Sequence, residues 1–311
     1  MNRRGSKIIL YPRGGLGNQL FQYGAALQLS KVLGLPIAIN ETLLDSNRKF
    51  NPNLMRCFLE LNQFESSVIE IYSSGKLKSE VLTKALTVER LLGDRAPKFL
   101  LKFGIFANER QDQINIFRTI KKAVSINSYC SSPAYFSECQ DDLAQQISRI
   151  RNPSEWYLQS VKELVKDSPI ALHIRLGDYK KFSSVYGRPD PEYYANAVNL
   201  ITERIGERPI WLFSDEPELA KEIVEKRINV SRVIDHNVSD RAIEHLNLLG
   251  KCQGIVCANS SFSWWSGFLS SKLVKGSTVV FPRPMFDSPN LKEPHNWLPG
   301  DWLTLGRRIG L

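Results

Sequence analysis

Short apolar runs and stretches of helical periodicity alternate along this chain with few interruptions. Residues 7–11 (KIILY) form a nearly continuous apolar run ended by Pro12, which predicts a buried strand. The turn Arg13-Gly14-Gly15-Leu16-Gly17 follows. Asn18 then suits the N-cap of a helix reaching about Leu33, with Leu20, Phe21, Ala25, Leu27 and Val32 among its apolar positions. Gly34 closes that helix and residues 35–40 (LPIAIN) read as the next strand, so the chain opens on a βαβ unit. Residues 41–125 are less regular, with an amphipathic stretch over 76–92, and read as helical insertions without a chemical motif. A strand is predicted over 125–130 and helices over 140–150 and 153–166. A second alternation then begins, with strands over 169–175 (PIALHIR), 209–214 (PIWLFS), 229–235, 254–257 and 278–282. Helices over 191–205, 217–226, 240–252 and 262–273 separate them. This rhythm predicts an α/β fold with parallel sheets and helices on both faces. The simplest partition is an N-terminal α/β domain over 1–155, a C-terminal domain over 156–285, and a Pro- and Trp-rich tail over 286–311. The tail lacks periodicity and is expected to pack back on the domains.

Composition narrows the setting. With 42% hydrophobic and 23% charged residues among 311, the chain is ordinary globular material. No apolar run approaches the roughly 18 residues that a membrane helix needs, and the first residues lack the apolar core of a signal peptide. The expectation is a soluble, unexported protein. The cysteines at 57, 130, 139, 252 and 257 are odd in number and form no CxxC, which suits reduced, buried thiols. Asn259-Ser260-Ser261 is a glycosylation sequon inside a polar motif, which argues against a glycosylating compartment and for the cytoplasm. The net charge of +9 favours anionic partners, but the basic residues are dispersed, so no nucleic-acid groove is expected. A nucleotide phosphate, or peripheral association with an anionic membrane, fits the same surplus.

In open parallel sheets ligands gather at the carboxyl ends of the strands, and four polar clusters fall there. The first is Ala258-Asn259-Ser260-Ser261-Phe262-Ser263-Trp264-Trp265-Ser266-Gly267. A strand ending in Asn and Ser and opening into a helix places hydroxyls and helix N–H groups where an anion could sit, though a simple cap with aromatic packing also fits. The second is His173-Ile174-Arg175-Leu176-Gly177-Asp178-Tyr179, where strand alternation puts His173 and Arg175 on one face. Arg175 can present a fork of donors to a diphosphate, and Asp178 could orient that guanidinium. The third, Gly14-Gly15-Leu16-Gly17-Asn18-Gln19, has neither dinucleotide nor P-loop spacing, yet Gly15 lets backbone approach a ligand closely. The fourth, Ser214-Asp215-Glu216 before Pro217, has the form of a helix N-cap. There is no Asp-x-Asp and no HExxH, so neither a metal nor any other cofactor is expected.

Taken together and in order, these motifs resemble the α-1,2-fucosyltransferases of glycosyltransferase family 11, collinearly from residue 7 to about 303. The resemblance implies a GT-B-like fold, two Rossmann-like domains with a cleft between them, the first on the acceptor side and the second binding a GDP-sugar. It implies inverting transfer of L-fucose from GDP-β-L-fucose to the 2-hydroxyl of a terminal galactoside, without a metal. The acceptor would be an oligosaccharide or lipid-linked glycan. Another GDP-sugar, or glycan binding without catalysis, is the alternative. Carried over by position, Arg175 holds the donor diphosphate, His173 lies beside the nucleotide, and Ser260, Ser261 and Phe262 contact the β-phosphate, with Asn259 and Asp215 in the same donor site. Asn18, with Gly15, faces the fucose and acceptor, and Asp178 supports Arg175 or acts as a base. An acid on the helix before the last motif reads guanine, which makes Glu244 the candidate. Two positions depart from the family pattern: Leu176 stands where a second Arg is common, and His245 where Asp is usual.

Overall fold

The computed structural model describes residues 6–44, 61–73, 88, 91–92, 95–108, 113–177, 187–234, 241–288, 293–294 and 296–307. The chain divides into two compact units, residues 1–146 with 294–297, and 147–293 with 298–311. The division falls after Gln146 and not at 155, and the tail is shared between the units.

In the first unit, strands β1 (Ile8–Leu10), β2 (Ile37–Asn40), β3 (Val68–Tyr72), β4 (Ile105–Asn108) and β5 (Ser125–Ser128) form a sheet of order β3-β2-β1-β5-β4. Every pairing in it is parallel. Helices α1 (Leu16–Leu33), α2 (Ala96–Lys102), α3 (Ile114–Phe117) and α4 (Gln140–Ser148) complete the described elements, with a 3₁₀ turn at Pro133–Phe136. The predicted α1 is present and ends at Gly34 in the left-handed region (φ 62°). Its start corrects the expectation: Gly15, not Asn18, is the N-cap, and Asn18 lies in the first turn. The glutamines inside the helix explain why. Gln22 accepts from the Arg13 N–H and donates to the Arg13 carbonyl, both at 2.9 Å, while Gln19 donates to the Gly14 carbonyl at 2.9 Å. The entering turn, bent at Gly14 (φ 73°), is therefore tied from within α1 and needs no side-chain cap.

Strands β3 and β4 were not expected in the region read as helical insertions. Both are short and at the sheet edges, and β3 (VIEIY) is largely exposed, so neither shows the continuous apolar run of a central strand. Of the amphipathic stretch 76–92, only residues 88, 91 and 92 are among the described ones, and they are helical.

The second unit contains α5 (Glu155–Asp167), β6 (Ile170–Ile174), α6 (Pro191–Ile205), β7 (Ile210–Ser214), α7 (Pro217–Val224), β8 (Arg232–Ile234) and α8 (Ala242–Leu249). It continues with β9 (Gly254–Val256), α9 (Ser261–Leu273), β10 (Thr278–Arg283) and β11 (Leu303–Gly306). The sheet runs β11-β10-β9-β6-β7-β8, again with parallel pairings. Strand β11 lies in the tail, where the sequence shows no periodicity. Its four residues pair with Val280–Arg283, too short a stretch for periodicity to register. Two parallel α/β units in one chain make the GT-B-like class that the resemblance implied.

The core of this unit joins Ile170, Leu172, Leu212 and Val256 from the strands with Tyr193, Ala197 and Ile201 from α6. Tyr193 is buried and donates from its hydroxyl to the Cys257 carbonyl at 2.8 Å, bracing the end of β9. Trp264 and Trp265 are fully buried, with Trp264 stacked on Phe268 at 5.4 Å, which makes the pair a scaffold for α9. Cys130, Cys139, Cys252 and Cys257 are free and buried, and burial pushes the Cys130 thiol up to about 12 and that of Cys139 up to about 11. Among the described residues, no helix is long and apolar enough to cross a membrane.

Candidate functional site

Strand order in the second sheet determines where a ligand can sit. From β6 the chain builds outward through β7 and β8, then returns to the other side of β6 with β9. That reversal is a topological switch point, and the crevice for a ligand lies at the carboxyl ends of β6 and β9. Three of the predicted clusters end there on the neighbouring strands β9, β6 and β7: Asn259–Phe262, His173–Arg175 and Ser214–Asp215.

His173 lies at the junction of the first two clusters. Its Nδ1 pairs with the Ser263 hydroxyl, and its ring sits 5.5 Å from that of Phe262. The Ser263 hydroxyl also accepts the Ala258 N–H at 2.9 Å, while the Ser260 hydroxyl caps α9 by accepting the Ser263 N–H at 3.1 Å. These bonds fix the imidazole against the first turn of α9. The N–H groups of Ser261 and Phe262, in that turn, have no acceptor within the helix, and both residues are partly exposed. A helix start with open N–H groups favours negative charge.

Arg175 is held from the opposite side. Its Nη1 lies 3.2 Å from Asp215 Oδ2, and Asp215 also accepts the N–H groups of Leu176 at 2.9 Å and Gly177 at 3.0 Å. Burial works against ionising Asp215, but the Arg175 guanidinium, the two N–H donors and His173 together hold its pKa below the usual carboxylate value. The Arg175 side chain keeps 29% of its surface accessible, so a ligand can still reach the fork. Gly177 leaves no spare room, since a Cβ there would lie 2.7 Å from Asp215 Oδ2.

The acid that orients Arg175 is therefore Asp215; Asp178, expected in that role, lies outside the described residues. Asp215 does not cap α7, where the N-cap is Glu216 without a side-chain bond. Asn259 is buried and donates to the carbonyls of Gly187 (3.1 Å) and Met285 (2.9 Å), so its amide clamps two loops behind the turn. Leu176 is buried in the core, so the position of the family's second Arg carries no polar group here. Ser263 was not singled out beforehand, although its spacing of three from Ser260 is the signature of a capped turn.

Glu244 departs furthest from expectation. It is 0% exposed, and its carboxylate accepts the Ser154 N–H at 2.8 Å, the Ser154 hydroxyl at 2.6 Å and Arg241 Nη1 at 3.1 Å. Three donors already occupy it, which makes it a brace between α8 and the start of α5. Glu244→Gln is expected to lower stability by about 1–3 kcal/mol, because one acceptor becomes a donor facing donors. The same variant should keep its GDP affinity within about twofold, which for a lost hydrogen bond to a bound base would be far larger. Thermal denaturation and calorimetric titration check this; unchanged melting with weakened GDP binding would restore Glu244 as the guanine reader. His245 beside it is buried with its ring 4.8 Å from that of Trp156.

Gly15 and Asn18 belong to the first unit, partly exposed at the start of α1 beyond the carboxyl end of β1. Among the described residues, no group of three or more His, Cys, Asp and Glu could hold a metal ion.

The glycosyl transferase family 11 model matches residues 112–305. The chain belongs to that family. Two relatives from Escherichia coli extend the similarity. One, "O-antigen biosynthesis glycosyltransferase WbnK", is 28% identical over 302 residues, covering 89% of this chain and 94% of the relative. The other, "Alpha-1,2-colitosyltransferase", is 22% identical over 301 residues, covering 94% and 98%. Among solved structures, the NodZ alpha-1,6-fucosyltransferase co-crystallized with GDP superposes with a TM-score of 0.50 at 14% identity, over 85% of this chain and 92% of that one. At that identity the likeness concerns the fold. The chain is thus a family 11 glycosyltransferase with a fucosyltransferase-like fold.

Proposed function

We propose that this protein transfers L-fucose from GDP-β-L-fucose to the 2-hydroxyl of a terminal galactoside, with inversion and without a metal. The setting we propose is synthesis of a bacterial surface glycan on a lipid-linked acceptor at the cytoplasmic face of the membrane. The observation that carries the donor half is Arg175, held by Asp215 at the switch point, beside the open first turn of α9. A guanidinium and two helix N–H groups at the carboxyl ends of neighbouring strands suit a diphosphate. They would stabilise charge as it builds on the leaving GDP. Relatives named for O-antigen synthesis and α-1,2 transfer support the remainder.

In the reaction, the bond from C1 to the β-phosphate oxygen breaks ahead of the attack, leaving the sugar oxocarbenium-like and the electron pair on GDP. The acceptor oxygen then bonds to C1 from the opposite face, and its proton ends on a phosphate oxygen of the departed GDP. Such a path asks for positioning and charge stabilisation, which His173, Arg175 and the α9 turn are placed to supply in this scheme. Asn18 and Gly15 are proposed on the acceptor side.

The relative named for colitosyl transfer, together with Leu176 in place of a second Arg, favours one alternative: a different GDP-linked sugar. The test is transfer to lactose and N-acetyllactosamine with GDP-fucose, GDP-mannose and GDP-rhamnose, followed by linkage analysis. Preferred use of GDP-fucose and an α-1,2 product are expected. Equal or better use of GDP-mannose would overturn the fucose assignment.

A further inference from the structure

The described surface of the first unit holds a face that the donor chemistry does not use. Around α2, residues Ala96, Pro97 and Leu100 turn inward, and Leu100 packs with Ala107, Val88 and Ile105. The rest of the helix faces solvent with an unusual composition. Phe99 and Phe103, one turn apart, are 43% and 68% exposed, and their rings touch edge to face at 5.3 Å. Arg95, Lys98 and Lys102 form a parallel stripe at spacings of three and four, about 100° around the helix from the phenylalanines. Leu91, 79% exposed, precedes this helix in the chain. Gly104 follows it in the left-handed region (φ 72°) and its carbonyl accepts the Ser125 N–H at 2.8 Å; the exposed Lys121 and Lys122 lie in the loop before β5.

Among the described residues of α2 and its caps, 95–103, the charged side chains are Arg95, Lys98 and Lys102, all exposed. An exposed aromatic pair beside a stripe of cations is poorly suited to bulk water. It matches a layer whose polar level is anionic and whose depth is apolar.

We propose that this face of α2 docks on the surface of an anionic lipid bilayer, with Phe99 and Phe103 entering the boundary between headgroups and acyl chains. The cations beside them meet the headgroup phosphates. Attachment of this kind needs no spanning helix. The docking goes beyond the transfer reaction and rests on it only for its use, since it would hold the enzyme where a lipid-linked acceptor lies.

Vesicle flotation of the full chain tests it. Wild-type protein should float with phosphatidylglycerol–phosphatidylcholine vesicles, bind phosphatidylcholine vesicles far less, and lose the anionic binding as salt rises. Phe99→Ser with Phe103→Ser, and separately Lys98→Glu with Lys102→Glu, should each weaken partitioning by at least about tenfold. The lysine pair changes exposed residues only, so it keeps the test open if the phenylalanine pair misfolds. Both variants should keep wild-type GDP affinity and transfer to soluble lactose. A wild-type protein that ignores anionic vesicles, or variants that float like wild type, would overturn the proposal. So would a solution dimer that the phenylalanine variant splits in the absence of any vesicle binding. An inactive wild-type enzyme that still floats would instead count against the transfer reading and leave the docking in place.

Discussion

Arg175→Ala is expected to lower kcat/KM for sugar transfer by about 10²- to 10³-fold while the protein stays folded, the range seen when a preorganised donor to a developing anion is removed. The guanidinium sits at the carboxyl end of β6 and is held by Asp215 rather than by the core, so its removal leaves the sheet intact. Arg175→Lys should recover little, because a single ammonium cannot reproduce a fork locked by a carboxylate. Steady-state kinetics with circular dichroism check both; near-normal turnover of the alanine variant would remove Arg175 from the donor site.

Asp215→Ala is expected to be nearly as damaging, by about 10²-fold, although Asp215 acts through Arg175. It would leave two N–H groups, those of Leu176 and Gly177, without their acceptor and release the guanidinium that it orients. Gly177→Ala attacks the same point from the other side, since the new Cβ would displace Asp215 Oδ2. Because these changes share one constellation, Arg175→Ala with Asp215→Ala should cost little more than Arg175→Ala alone. A pH signature accompanies the position. Asp215 has a folded pKa below the ordinary 3.8, so its stabilisation is fully present above that value and is lost as pH falls through the lower, folded pKa. The stability gap between wild type and Asp215→Asn should therefore narrow below about pH 4 in acid denaturation. A gap independent of pH would show that the carboxylate is not ionised against Arg175.

Much of the donor site was legible in the sequence because it depends on local geometry. Strand alternation is enough to put His173 and Arg175 on one face, and a strand ending in Asn and Ser that opens into a helix is enough to mark the turn before α9. What depends on register between strands was hidden. Asp215 lies 38–39 residues from the backbone groups that it binds, and its Ser-Asp-Glu-Pro setting looks like a helix cap until β6 and β7 are paired. Glu244 has the charge to read guanine, but its carboxylate is taken up by Ser154, 90 residues away in the sequence. Strands β3, β4 and β11 are short and lie at sheet edges, and the exposed residues of β3 and β11 and the four-residue length of β4 give no long apolar run. The exposure of Phe99 and Phe103 was equally hidden, because residues 96–103 carry no pattern that separated them from the helical insertions around them.

The account rests on a diphosphate held between Arg175 and the first turn of α9. Calorimetric titration of GDP and GMP against wild type and Arg175→Ala tests that most directly. The clamp predicts that GDP binding weakens at least about tenfold in the variant, the loss of one charge-assisted contact, while GMP binding changes little. Equal GDP affinity in the two proteins would contradict it.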